Sequence, residues 1–120
     1  GSLLLNADLL EEAEPQFVKA LEIDPNYTNA TYNLAVTYVK WGAKMREDDI
    51  AAGLDSEAYK EKFKQALPHL ETYVKTDEGT TNAAMWELLG KVYLNLGETE
   101  KSQEAYNKAV EASQRRLQRR

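Results

Sequence analysis

The chain has 120 residues, a net charge of −5 and no cysteine, with 42% apolar and 29% charged residues. That composition suits one soluble globular domain with a modest core; it excludes a disulfide framework, a thiolate metal site and a cysteine nucleophile. The acidic balance argues against nucleic-acid binding, and no apolar run approaches the roughly 18 residues that a membrane span needs.

Apolar spacing predicts five helices, over 8–22, 27–52, 56–76, 81–96 and 99–118, separated by turns at Asp24-Pro25-Asn26, Gly53 to Asp55, Asp77 to Thr80 and Gly97-Glu98. Ahead of the first helix, Leu3-Leu4-Leu5 reads as the tail of a helix whose remainder is missing. The second helix keeps one stripe through Leu34, Tyr38, Trp41, Met45 and Ala52 and runs on past Gly42. After the Gly53 turn, Ser56 is a plausible cap, and Tyr59, Phe63, Ala66, Leu70 and Tyr73 carry the stripe back. Pro68 interrupts that stripe. A proline there removes the hydrogen bond to the Lys64 carbonyl at a cost of roughly 3 kcal/mol, so a kink or a break is expected.

The chain repeats itself. Ala13 to Pro25 (AEPQFVKALEIDP), Ala66 to Glu78 (ALPHLETYVKTDE) and Ser102 to Gln114 (SQEAYNKAVEASQ) each open on a small residue. Four places on stand Phe17, Leu70 and Tyr106, and seven places on Ala20, Tyr73 and Ala109, one helical face used three times. A second kind of segment precedes two of these. Trp86-x-x-Leu89-Gly90-x-x-Tyr93 is followed by Leu96-Gly97, and its weaker copy Thr31-x-x-Leu34-Ala35-x-x-Tyr38 by Trp41-Gly42. Helices approach closely only where one surface is small, so Gly90 is expected to face Ser102 and Ala35 to face Ala66, with large residues filling the flanks.

On these residues the chain resembles the tetratricopeptide repeat (TPR) family, whose pattern is W-x-x-L-G-x-x-Y, then A-x-x-x-F, then P. The resemblance implies an all-α fold: a short TPR-like solenoid of about five helices in antiparallel pairs. It implies one domain over 1–120, with a partial first repeat at 1–25, a second at 26–79 and a third with the C-terminal helix at 80–120. The step from Tyr38 to Ala66 is 28 residues where that from Tyr93 to Ser102 is 9, so about 19 residues are inserted within 43–65. Both helices of the middle pair are thereby elongated into an arm. With Ala66-Leu67-Pro68-His69-Leu70-Glu71 after the insertion, the chain looks like a bacterial variant of the family. Gly1-Ser2 reads as a scar of tag removal, so a removed signal peptide is compatible with it, and cytoplasm and periplasm stay equally open.

In that family the concave groove is lined by leading-helix residues that point away from the partner helix. Carried onto this chain, the resemblance implies a partner-binding groove of Asn29, Tyr32, Asn33, Val36 and Lys40, with Ala84, Glu87, Leu88, Lys91 and Asn95. Tyrosine, asparagine and lysine beside small apolar residues suit a peptide or a helix of a protein partner. Ala84 and Leu88 stand where a clamp for a C-terminal carboxylate needs basic residues, which argues against that mode although Asn33 fills one matching slot.

Nothing in the sequence reads as catalytic, cofactor-binding or metal-binding. His69, the one histidine, has no partner set and reads as a rim residue. The acidic stretch Glu47-Asp48-Asp49 with Asp55 and Glu57 lacks calcium-loop spacing and reads as a solvated arm tip. Arg115, Arg116, Arg119 and Arg120 read as cations complementing a helix C-terminus. Trp86 and Tyr93 stand at core spacing. The expectation is therefore a non-enzymatic interaction module or scaffold. The alternative is a self-associating structural protein, a homo-oligomer built on the apolar edge Leu4, Leu5 and Leu9 and on the arm.

Overall fold

The computed structural model describes residues 7–118, and their side chains over 10–115. The described residues form six helices and no strand: α1 (Ala7–Ile23), α2 (Thr28–Ala51), α3 (Tyr59–Val74), α4 (Asp77–Thr80), α5 (Ala83–Asn95) and α6 (Thr99–Gln118). Five are those that the spacing predicts. The sixth, α4, occupies the four residues expected to be a turn. The chain divides into two compact units, Gly1–His69 and Leu70–Arg120.

In the first unit, α2 is 24 residues long, as the insertion implies. Ala30, Thr31, Leu34, Ala35, Thr37, Tyr38 and Gly42 form its buried side. α3 returns along α2: a Cβ on Gly42 would stand 2.9 Å from the Phe63 ring and 3.1 Å from the Tyr59 carbonyl. Gly42 therefore lies in mid-helix, where a small surface lets an aromatic ring approach. Tyr59 and Phe63 meet edge to face with centroids 5.5 Å apart. Lys62 lays its ammonium 3.5 Å from the centre of the Trp41 ring. His69 stacks on Tyr38 at 6.0 Å and is half-buried. Burial holds its pKa below the usual histidine value. Burial, with the Glu14 carboxylate of α1 beside it, pushes the Tyr38 phenol well above its usual range.

Pro68 does not break α3, which continues unbroken from Tyr59 to Val74. The break is thus corrected. A proline removes one ladder bond, and the turn that follows is held by Leu70 and Tyr73, 0% and 6% exposed. Ser56 does not cap α3, which starts three residues later; its hydroxyl accepts from the Ala58 amide at 3.2 Å, in a turn ahead of the helix.

In the second unit, Thr76 caps α4, its hydroxyl accepting from the Gly79 amide at 3.0 Å. Glycine is required there by close approach, since a Cβ would lie 1.8 Å from the Tyr73 carbonyl oxygen. The Asn82 side chain caps α5 by accepting from the Met85 amide at 3.2 Å. Met85, Leu89, Gly90, Val92 and Tyr93 are the buried side of α5. They face α6, whose Ser102, Ala105, Ala109 and Ala112 are each no more than 3% exposed. Gly90 meets Ser102 as expected: the Ser102 hydroxyl donates to the Gly90 carbonyl at 2.9 Å. A Cβ on Gly90 would come within 3.0 Å of the Tyr106 ring. Tyr93 is buried, and its hydroxyl donates to the Glu71 carboxylate. Burial first and that carboxylate second drive the Tyr93 phenol far above its usual range.

α2 and α5 end by one device. Gly53 (φ 72°) and Gly97 (φ 83°) are left-handed. The next amides reach back five residues, Leu54 to the Asp49 carbonyl and Glu98 to the Tyr93 carbonyl, both at 2.8 Å. This Schellman arrangement satisfies carbonyls that a helix end otherwise leaves open.

Candidate partner-binding faces

The burial pattern leaves one solvent side on each leading helix. On α2 it holds Asn29, Tyr32, Asn33, Val36 and Lys40, at steps of 3, 4, 7 and 11 residues from the first. On α5 it holds Ala84, Glu87, Leu88, Lys91 and Asn95, at the same steps. That spacing gathers each set along one side of its helix.

Asn29, Tyr32 and Lys40 are exposed; Asn33 and Val36 are half-buried. On α5, Ala84, Glu87 and Lys91 are exposed, and Leu88 and Asn95 half-buried. Two of these residues also brace their own helix. The Asn33 carbonyl accepts from the Thr37 hydroxyl at 2.7 Å, and the Asn95 amide donates to the Lys91 carbonyl at 2.8 Å. Each row therefore mixes an aliphatic strip with polar groups. It offers contact area and hydrogen bonding but no charged cage.

One residue of this side is missing from the sequence reading. Leu94 is 54% exposed. It stands seven residues after Glu87 and three after Lys91, so helical spacing was the signal that would have found it. Ile23 and Tyr27, 77% and 46% exposed, flank the α1–α2 turn and gave no such signal.

Tyr93 is buried, while Trp86 is half-buried, its indole donating to the Thr80 carbonyl at 3.1 Å. Of the acidic stretch, Asp48 pairs with Lys44 at 2.9 Å, and Glu57 with Lys60 at 2.7 Å. Among the described residues no group of three or more histidine, cysteine or acidic side chains could hold a metal ion. No described helix is long and apolar enough to cross a membrane. Arg115 is exposed; Arg119 and Arg120, and the Arg116 side chain, lie outside the described residues. So do Leu4 and Leu5 of the apolar edge, and the Leu9 side chain.

Paired helices closed over a glycine or alanine, with a solvent row on each leading helix, define an all-α repeat protein. The tetratricopeptide repeat model matches residues 1–27 and 83–116, and the chain belongs to that family. No curated protein matches it. Tetratricopeptide repeats generally mediate protein–protein interactions and are typically non-enzymatic, so the partner class is protein.

Proposed function

We propose that this chain is a scaffold or adaptor module that binds a peptide or helix of a protein partner, the Asn29–Lys40 side of α2 and the Ala84–Asn95 side of α5 each being a contact face in its own unit. The observation that carries this reading is exposure: Asn29, Tyr32 and Lys40 on α2 and Ala84, Glu87 and Lys91 on α5 are open to solvent on the sides opposite each helix's buried residues. Tyr32 is 37% exposed and gives large contact area at low entropic cost. The exposed Asn29 amide on α2 suits a peptide backbone.

The test begins with partner capture from the native host, using the chain as bait, and continues with the purified partner. Tyr32→Ala combined with Lys91→Glu weakens binding at least tenfold and leaves the circular-dichroism spectrum unchanged. Unchanged affinity overturns the assignment of these faces, and a lost helical signal shows that the two residues are structural. Light scattering at tens of micromolar addresses the competing reading. An assembly that dissolves in a variant with Leu4→Lys and Leu9→Lys replaces the adaptor with a self-associating protein.

A further inference from the structure

We propose that the second unit carries a separate binding pocket for an oxyanion-bearing peptide side chain, an acidic or phosphorylated residue with an apolar neighbour. The pocket has a volume of about 330 Å³ and lies among the end of α3, α4, the start of α5 and the last turns of α6. It shares no residue with the proposed face of α5.

Its chemistry sets it apart from the rest of the chain. The whole protein has 20 acidic and 15 basic residues. This pocket reverses the balance, with Lys75, Lys108 and Arg115 against Glu111 alone. The Glu111 carboxylate is 3.6 Å from the Lys108 ammonium, so these two offset each other. Lys75 and Arg115 have no ion-pair partner among the described residues. Two uncompensated cations facing one cavity favour an anion there, and the guanidinium fork of Arg115 suits the two oxygens of a carboxylate or phosphoryl group.

The walls define the rest of the ligand. Trp86 is anchored by its indole bond to the Thr80 carbonyl at 3.1 Å. That bond occupies its only donor and leaves ring surface to line the cavity. Val74 adds aliphatic surface. An apolar wall beside cations fits an anionic side chain next to an aliphatic one. The volume sits at the small end of ligand cavities, enough for one or two side chains and too small for a bulky cofactor. A peptide is the matching source, since the partners of this family are proteins.

Trp86 itself supplies the readout. In the full chain, Trp41→Phe leaves Trp86 as the one tryptophan. Three blocked, leucine-flanked heptapeptides differing only in a central glutamate, glutamine or phosphoserine are titrated at low salt. Saturable change in Trp86 emission is expected with glutamate and phosphoserine, at least tenfold weaker with glutamine. The preference is expected to weaken as salt rises. Lys75→Gln with Arg115→Gln is expected to weaken binding tenfold or more, whereas Lys64→Gln, exposed and outside both the pocket and the proposed faces, leaves it unchanged. Equal binding of the glutamine peptide overturns the proposal, as does affinity indifferent to the double change, or no saturation at millimolar peptide. The exposed positions of Lys75 and Arg115 make the double variant compatible with folding, checked by circular dichroism. The adaptor reading fails separately, through Tyr32 and Lys91.

Discussion

The Ser102 hydroxyl donates to the Gly90 carbonyl at 2.9 Å in the buried seam between α5 and α6. The contact exists because neither residue has bulk there, and the Tyr106 ring occupies the space that a Gly90 Cβ would enter. Ser102→Ala removes one buried hydrogen bond and is expected to cost about 0.5–1.5 kcal/mol. Gly90→Leu overpacks the seam, at about 1–3 kcal/mol or more. Urea unfolding followed by circular dichroism ranks the two; a Gly90→Leu chain as stable as the parent removes Gly90 from the interface.

Gly79 and Gly97 are glycines for different reasons. At Gly79 a Cβ would strike the Tyr73 carbonyl at 1.8 Å, while at Gly97 nothing lies within 4 Å and the cost is that of a left-handed φ. Gly97→Ala is expected to cost about 1–2 kcal/mol. Gly79→Ala must displace backbone and is expected to exceed it. Midpoints of thermal unfolding give the order, and equal losses would show that α4 shifts at little cost.

His69 gives the first unit a sensitivity to acid. Its folded pKa lies below the ordinary value of 6.5 because burial disfavours the imidazolium. A base depressed in this way contributes stability that is present above its unfolded pKa and is lost as pH falls through the folded one. Stability is expected to decline below about pH 6.5. The decline is expected to be shallower in His69→Gln, and the comparison separates histidine from carboxylates that titrate lower. Matching pH profiles would assign the loss elsewhere.

Alkali acts through the tyrosines. Tyr38 and Tyr93 both have phenols raised above the ordinary value of 10.0, chiefly by burial. Their neutral forms are favoured on folding, so stability is full below pH 10 and falls as pH rises towards their folded values. Absorbance titration of the native chain is expected to show Tyr38 and Tyr93 ionising later than an ordinary phenol. Tyr93→Phe removes one of them and leaves Glu71 without that donor.

Lys62 lies 3.5 Å from the centre of the Trp41 ring. Lys62→Gln is expected to cost about 0.5–1 kcal/mol, and Lys62→Arg to retain most of it. With Trp86→Phe, Trp41 emission reports the change directly; identical spectra for Lys62 and Gln would show that the cation does not rest on the ring.

Much of this fold was legible because it rests on repetition and small residues. The repeated helical face located α3 and α6, and the Gly90–Ser102 apposition followed from their sizes. Gly53 and Gly97 marked helix ends correctly, whereas Gly42, at the copy position of Gly97, lies inside α2. The difference is tertiary, because the Phe63 ring fills the space a side chain would need at Gly42. At Pro68 local propensity allowed a break that α3 does not make, because it counts the lost bond but not the buried residues that follow. α4 was invisible for the opposite reason: four residues carry no period, and Gly79 reads as a breaker until the Tyr73 carbonyl is in view. The solvent rows on α2 and α5 came from family spacing. The cationic pocket was not legible, since Lys75, Trp86 and Arg115 are scattered in sequence and meet only in the folded chain.

The turn from α2 to α3 has a consequence for how this chain can change. A Cβ on Gly53 would meet nothing within 4 Å, and Ile50 and Leu54 are 65% and 59% exposed. The seam engages Gly42 against Phe63 and against Tyr59, the first residue of α3. The residues from Gly53 to Asp55 are all exposed. Chain can therefore be spliced in after Gly53 without entering the seam. The same loop offers a place to open the chain for circular permutation or to attach a dye. Elongation of this pair brought its own packing in Tyr59 and Phe63, and beyond them, from Gly53 to Asp55, only exposed chain.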